Sequence, residues 1–192
     1  MPPATPSPSA PASAPLRYSA TARLLHWVIA LMVIATMPIG RTMVQPGIDR
    51  SLQDTLFILH KNGGVIILVL MVLRLGWRLL NPPPPMPASV PALQDRIATL
   101  AHWGLYALVF VMALSGYVRV RADGFPVEML DAWGVPALVP RSEALANAAQ
   151  AVHYWAGYAL LALVAAHLLA AAYHGIVRRD GVFSRIWPPV GR

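Results

Sequence analysis

The chain has 192 residues, of which 57% are hydrophobic and only 12% are charged, and this composition, with its apolar residues grouped in blocks, excludes an ordinary soluble domain. There is no cysteine, which excludes disulfides, thiolate metal sites, iron–sulfur clusters and covalently attached c-type haem. The net charge of +7 does not indicate nucleic acid as a partner, because the basic residues lie mainly at the ends of the apolar blocks, where they set membrane topology.

The sequence predicts an all-α fold, a four-helix transmembrane bundle. Residues 1–16 are Pro, Ala and Ser with no charged side chain, and we expect a disordered tail there, followed by one membrane domain over 17–192. Each of the four apolar blocks is long enough to cross a hydrocarbon core of about 30 Å. The predicted spans are about 22–44, 56–80, 97–120 and 152–177.

Two of the connections between spans carry their own signals. The proline run at 81–87 should end the second helix, because proline lacks the amide donor and clashes with the preceding turn. The longest connection, 121–150, mixes Trp and Leu anchors with acidic residues, and it predicts one or two short interfacial helices. The residues after the fourth span, RRDGVFSRIWPPVGR, close the chain as a basic tail.

An even number of spans places both termini on one side of the membrane, and the distribution of basic residues indicates which side. The terminal side carries nine of the fifteen Lys and Arg residues: Arg17, Arg23, Arg74, Arg78, Arg96, Arg178, Arg179, Arg185 and Arg192. The other side carries six: Arg41, Arg50, Lys61, Arg119, Arg121 and Arg141. Because the more basic side is normally cytoplasmic, we predict a multi-pass protein of a bacterial inner membrane with both termini in the cytoplasm.

Four histidines fall into two pairs by depth in the membrane. His26 opens the first span and His167 lies late in the fourth, so both are near the cytoplasmic side. His60 and His153 open the second and fourth spans from the outer side. Fourteen residues of helix bring His153 and His167 onto one face, about 21 Å apart along the axis. Ionisable side chains at this depth usually face the bundle interior and have a function.

The two pairs are those that an iron porphyrin requires: one axial imidazole from each of two facing helices. Small residues, among them Gly63, Gly64, Gly104, Gly157 and Ala171, could make room for the flat ring. Two histidine ligands fill both axial positions of the iron and so favour electron transfer. The alternatives are histidines that merely hydrogen-bond within the bundle, or a transition-metal site, which would need three or four clustered ligands.

Five further polar residues have more than one interpretation. His102 and His174 lie at the cytoplasmic level, where they could hydrogen-bond haem propionates, line a quinone pocket or reach out to water. Arg74 and Arg78, one turn apart on the second span, are either topology anchors or partners of propionates. Lys61, next to His60, presents the same alternative on the outer side.

Several segments taken together resemble one family. They are LLHW at 24–27, HKNGGVIILVLMVLRLGWRL at 60–79 with the proline run that follows, AHWGLY at 101–106, and the histidines at 153, 167 and 174. The chain from about 18 to 188 resembles bacterial cytochrome b561. This resemblance implies a four-helix bundle with two non-covalent b haems that exchanges electrons with quinone. It implies that His26 and His167 bind the inner haem, and His60 and His153 the outer one.

The resemblance also suggests a reaction. Some members resemble superoxide oxidases, which take an electron from superoxide outside and reduce ubiquinone within the membrane, and His174 matches a position at the quinone end. Our preferred hypothesis is therefore a superoxide:ubiquinone oxidoreductase, with Lys61, Arg50 or Arg141 attracting the anionic donor. One alternative is an electron-transfer subunit that docks a protein partner such as a soluble cytochrome or a dehydrogenase. Another is a haem-free structural or transport bundle.

Overall fold

The structure, a computed structural model that describes residues 17–189, confirms the predicted all-α fold, and all regular elements in this range are helical. The predicted tail, 1–16, lies outside the described residues. Four helices are long and apolar enough to cross a membrane. They are α1 (Ala20–Thr42), α2 (Arg50–Leu80), α3 (Ala92–Ala122) and α5 (Glu143–Ala172), and the last continues as a π-helical turn, Tyr173–Arg178. One short helix, α4 (Glu128–Ala132), lies in the 121–150 connection.

The helix boundaries follow from local sequence. The side chains of Ser19, Asp49 and Ser142 each accept a hydrogen bond from a backbone amide three residues on, and so cap α1, α2 and α5. The second helix ends at Leu80, where the proline run begins. Capped polar turns let α2 and α5 begin several residues before the predicted apolar spans, at Arg50 and at Glu143.

The bundle is built from two helical hairpins. α1 packs against α2, α3 packs against α5, and α2 joins the hairpins through α3. Glycines bring the partners in each hairpin close together: a Cβ on Gly63 would lie 3.1 Å from Thr36, and one on Gly104 would lie 3.2 Å from Leu163. The shared core comprises Ile29, Val33, Ile67, Met71, Tyr106, Val109 and Leu160. Many large apolar side chains outside this core are exposed, as expected of a surface that faces lipid.

The bundle has two distinct ends. Residues 17–19, the 81–91 connection and residues 179–189 meet at what we name the terminal end; the α1–α2 turn and α4 form the loop end. At the terminal end the predicted basic tail folds back over the bundle. The amide of Tyr18 donates to the carbonyl of Arg185 (3.1 Å), and the Trp27 indole donates to that of Ile186 (3.0 Å). The buried Arg185 guanidinium donates to the Pro84 carbonyl, which ties this segment to the proline run.

Candidate functional site

The structure brings His60 of α2 and His153 of α5 together at the loop end, with their ring centroids 6.1 Å apart. The Nδ1 atom of His60 lies 3.1 Å from the Thr36 carbonyl oxygen, and that of His153 lies 3.0 Å from the Met112 carbonyl oxygen and 3.2 Å from Ser115 Oγ. A carbonyl oxygen can only accept, so both Nδ1 atoms donate. Each ring therefore keeps its Nε2 lone pair free for a ligand.

Two glycines on neighbouring helices leave room for the His60 and His153 rings. A Cβ atom on Gly40 of α1 would lie 2.6 Å from His60 Cε1, and one on Gly116 of α3 would lie 3.1 Å from His153 Cε1. The first distance is too short for any real side chain. The imidazoles thus lie directly against backbone that carries no side chain.

A cavity of about 870 Å³ adjoins the loop-end pair. Its walls are mostly apolar side chains of α2 and α3, and the segment that contains α4 covers one side. Gly64 lines this cavity, and a Cβ there would meet no atom within 4 Å. Apolar cavities with a few polar groups at one end, about 300–1,000 Å³ in volume, are typical of cofactor sites.

The α4 segment is fastened over this cavity by residues next to His60. The ammonium of Lys61 forms an ion pair with Glu128 and donates to the Pro126 carbonyl (2.8 Å). Asn62 donates to Glu128 (3.2 Å) and accepts from the Met129 amide (3.1 Å). Burial raises the pKa of the Glu128 carboxyl, but the hydrogen bond and charge of Lys61 outweigh it and the net pKa is lowered. Lys61 thus has a structural role that neither sequence interpretation included.

At the terminal end the structure brings together three imidazoles. The ring centroids of His26 and His167 are 6.3 Å apart, and that of His102 is 5.5 Å from His167. The Arg74 guanidinium lies 3.2 Å from Nδ1 of His26 and donates to the Ala22 carbonyl (3.2 Å). Because a guanidinium can only donate, Nδ1 of His26 accepts here, so this ring carries its proton on Nε2, unlike the two loop-end rings.

Two of the terminal-end arginines have aromatic rather than acidic neighbours. Arg74 lies 5.7 Å from the centre of the Tyr106 ring, and Arg78 lies 5.6 Å from it and 5.3 Å from that of Trp103. Within residues 17–189 neither guanidinium forms an ion pair with a carboxylate. Cation–π contact stabilises both charges in part. Both therefore remain available to an anionic ligand.

His174 is separate from this group and is bound to the folded-back segment. Its Nδ1 lies 2.6 Å from the carboxylate of Asp180, which also accepts from the amide of Val182 and lies 3.4 Å from the Arg178 guanidinium. Burial raises the pKa of Asp180, but these contacts outweigh it and the net pKa is lowered. The His174 side chain is only 16% exposed, so it does not simply reach out to water.

The ring separation in each histidine pair would allow one metal atom between the two rings. A metal about 2 Å from one nitrogen of each ring places the ring centroids roughly 6 Å apart, which matches both observed separations. Among residues 17–189, no group of three or more His, Cys, Asp or Glu is arranged to hold a metal ion unaided. Two imidazoles alone would not complete a metal site, and a porphyrin would supply the further ligands.

Several residues of this site were not identified from the sequence. They are Thr36, Gly40, Ser115, Gly116, Arg119 and Glu128. The glycines and Ser115 carry a weak signal, since they are small residues at the level of a histidine on another span. The contacts of Thr36 and Glu128 and the place of Arg119 in the cavity lining depend on helix packing and leave no pattern in one sequence.

Comparison with known proteins covers this whole arrangement. The family model described as prokaryotic cytochrome b561 matches residues 17–189. Cytochrome b561 homolog 2 of Escherichia coli (strain K12) is 31% identical over 174 residues, which are 90% of this chain and 92% of that protein. Cytochrome b561 homolog 1 of the same strain is 29% identical, with 90% and 97% covered. A probable superoxide oxidase CybB of Yersinia pestis is 26% identical, with 90% and 96% covered.

Proposed function

Because the chain belongs to the prokaryotic cytochrome b561 family, we propose that this membrane protein holds two b haems and transfers electrons between an outer-side donor and ubiquinone. The observation that carries the proposal is the pair of ring separations, 6.1 and 6.3 Å, at opposite ends of a four-span bundle. When bound, the haems would supply one-electron chemistry between the two faces of the membrane.

The loop-end residues are already arranged for ligation. His60 and His153 present free Nε2 lone pairs, and the carbonyls of Thr36 and Met112 fix the orientation of their rings. Ser115, which adjoins His153 Nδ1, adds a second polar contact to that ring. These residues would bind and orient a cofactor with their protons already on Nδ1.

The terminal-end residues require one change on binding. Ligation through Nε2 of His26 needs its proton on Nδ1, so Arg74 must leave that nitrogen. A haem propionate is a stronger acceptor for a guanidinium than a neutral imidazole is, because the contact is charge-assisted and often bidentate. We therefore assign Arg74 and Arg78 to propionates, His167 as the second ligand, and His102, which adjoins the His167 ring, to its support.

Superoxide is our preferred donor, and the loop end is its side of entry. The excess of basic residues at the terminal end supports a cytoplasmic location for that end in a bacterial inner membrane. The loop end then faces outward, and its cavity reaches the first histidine pair. A small anion needs no docking domain, and the similarity to a probable superoxide oxidase supports the same reaction class.

His174 is the residue that we assign to quinone at the terminal end. It lies about 10 Å beyond His167 along the helix, too far to ligate the same iron. The Asp180 carboxylate accepts from Nδ1 and would stabilise the imidazolium, so His174 can take up a proton and donate it through Nε2 to a quinone carbonyl. Reduction of a quinone to the quinol consumes protons, which this pair would supply from the cytoplasmic side.

Purified protein tests the proposal directly. We expect a low-spin spectrum, two haems per chain that are removable by acid–acetone, and superoxide-dependent reduction of ubiquinone. A colourless preparation would indicate a haem-free bundle, and a ratio near one would contradict the pairing. Two haems without superoxide activity, together with electron exchange with a soluble cytochrome or a dehydrogenase, would favour a subunit that docks a protein partner.

Ligand variants test the pairing. His60→Ala and His153→Ala should remove the same spectral component, whereas His26→Ala and His167→Ala should remove the other, because a porphyrin cannot bridge histidines about 21 Å apart. The matched control is His102→Ala, which removes a neighbouring imidazole and should keep both haems. Loss of one common component from His60→Ala and His167→Ala would overturn the scheme.

A further inference from the structure

We propose that Arg119 of α3 binds a propionate carboxylate of the loop-end haem and thereby sets the redox potential of that haem. No interpretation of the sequence assigned this residue a role in the site. The inference rests on the proposed function, since it requires a haem between His60 and His153. Three features support it: the position of Arg119, the ion pairs formed by the other cations of the cavity, and the chemistry of guanidinium groups.

The position of Arg119 is fixed by α3. It lies three residues after Gly116, the glycine against the His153 ring, and so about 4.5 Å closer to the loop end. It lines the same cavity as His60 and His153, and it is close enough to interact electrostatically with both imidazoles. A group held between these rings would have its edge at the level of Arg119.

The other cavity-lining cations around Arg119 are already paired. Among the cavity-lining cations of residues 17–189, Arg50 pairs with Asp54 and Lys61 pairs with Glu128, whereas Arg119 has neither a hydrogen bond nor an ion pair from its guanidinium. Asp123, one turn further along α3, also lines the cavity but forms no ion pair with it. Among the described residues that line this cavity, Arg119 is thus the cation that forms no ion pair.

A partly buried guanidinium without a counterion is costly in an apolar cavity, and a carboxylate is the ligand that it binds best, through two parallel hydrogen bonds. The loop-end haem would bring such carboxylates into this cavity. A cation near the haem stabilises the reduced form, which carries less positive charge, and so raises the midpoint potential.

The test is a redox titration of the purified holoprotein. The loop-end component is identified as the one that is absent from His60→Ala. In Arg119→Gln we expect its midpoint potential to fall by 59 mV, a tenfold change in the oxidised-to-reduced ratio for a one-electron couple. Arg119→Lys keeps the positive charge but cannot form two parallel hydrogen bonds to a carboxylate. Its midpoint potential should therefore fall by less than that of Arg119→Gln. The terminal-end component should not move in either variant.

The matched control is Arg50→Gln, which removes a cation of the same cavity that is already paired with Asp54, and which should leave both potentials unchanged. Loss of the loop-end haem from Arg119→Gln, with retention in Arg119→Lys, also supports the proposal. Unchanged potentials and haem content in Arg119→Gln would overturn it. A fall in only the rate of haem reduction by superoxide in Arg119→Gln would also overturn the proposal, because Arg119 would then bind the donor. A wild-type protein without two haems would refute the proposed function itself.

Discussion

The two loop-end histidines show how the bundle selects one tautomer of a neutral imidazole. Each Nδ1 faces an oxygen of an adjacent helix, Thr36 for His60 and Met112 for His153. A buried hydrogen bond of this kind contributes only about 1 kcal/mol of stability, but leaving the donor unsatisfied would cost about 1–3 kcal/mol. The Nε2 lone pair of each ring is therefore left unused by the bundle.

Gly40 is predicted to be essential for the loop-end haem. In Gly40→Ala the new Cβ would lie 2.6 Å from His60 Cε1, so either the ring or α1 must move, and overpacking of this kind costs about 1–3 kcal/mol. We expect loss of the loop-end haem with retention of the other, as measured by haem content and the reduced spectrum. The control is Gly76→Ala, where no atom lies within 4 Å of the added Cβ. Two haems with unchanged spectra in Gly40→Ala would contradict the prediction.

The His174–Asp180 pair gives a second prediction at this scale. His174→Ala should keep both haems and slow quinone reduction, with haem reduction from the loop end unchanged. Asp180→Asn should also keep both haems and slow quinone reduction, because the His174 ring loses the carboxylate that fixes its orientation.

The readout for these variants is the rate of ubiquinone reduction in detergent, together with the haem content. Arg179→Gln serves as control, because Arg179 is exposed and donates to the Ile176 carbonyl rather than to Asp180. If His174→Ala loses a haem, the residue is structural. If it reduces quinone at the wild-type rate, the assignment to the quinone site is wrong.

At the scale of elements, α4 is too short to be stable alone, since isolated helices need at least about 12–15 residues. Its five residues persist because Lys61 and Asn62 of α2 bind Glu128 and Met129 in it. The ion pair between Arg121 and Asp131 (2.5 Å) fastens the same helix to the end of α3. Contacts with α2 and with the end of α3 thus hold the α4 segment over the loop-end cavity.

Glu128→Gln should loosen α4. We expect faster amide hydrogen exchange over 125–132 with little change in the transmembrane helices. The control is Asp54→Asn, which breaks the exposed pair with Arg50, whose side chains are 81% and 53% exposed, and which should cost at most about 1 kcal/mol. Exchange over 125–132 as slow as in the wild type would contradict the assigned role of Glu128.

The same contact predicts a pH dependence in the wild type. Because the pKa of Glu128 is lowered in the folded state, its stabilising contribution is complete above the ordinary glutamate pKa of about 4.3 and is lost as pH falls through the lower folded value. Exchange over 125–132 should therefore accelerate only in that acidic range. In Glu128→Gln this acceleration should be absent.

Sequence periodicity and depth predict the four helices, and they predict that His26 lies near His167 and His60 near His153. Both predictions depend on helical rise and on the thickness of a bilayer. Periodicity and depth do not predict the rotation of one helix against another. The approach of Gly40 to His60 and the pairing of Lys61 with Glu128, 67 residues away, depend on that rotation. The folded-back segment was missed for a similar reason: Arg185 is an ordinary basic residue by composition but becomes buried against the proline run.

The two ends of the whole molecule are built differently. A reaction that connects the two faces of a membrane would require such a difference. The loop end has a cavity of about 870 Å³ beside its histidines. The terminal end is covered by the folded-back segment and holds the buried arginines Arg23 and Arg185. The orientation in the membrane therefore decides which compartment supplies the donor.

Cysteine labelling tests that orientation, since the natural chain has no cysteine. Ala137→Cys places a thiol in the exposed loop between α4 and α5, and Ala88→Cys places one in the exposed connection between α2 and α3. With the terminal end in the cytoplasm, a membrane-impermeant maleimide should label only the first in spheroplasts and both after lysis. Labelling of Ala88→Cys alone in spheroplasts would reverse the topology and with it the side of the donor.

The division into two hairpins has a consequence for assembly. The α1–α2 hairpin supplies His26 and His60, whereas the α3–α5 hairpin supplies both of their partners, His167 and His153. Each proposed haem would therefore join one hairpin to the other, as a cross-link does. A ligand present at a thousand times its dissociation constant stabilises the state that binds it by about 4 kcal/mol. The hairpins can then insert into the bilayer separately, and haem supply would determine how many inserted chains close into a lasting bundle and how many remain open to membrane proteases.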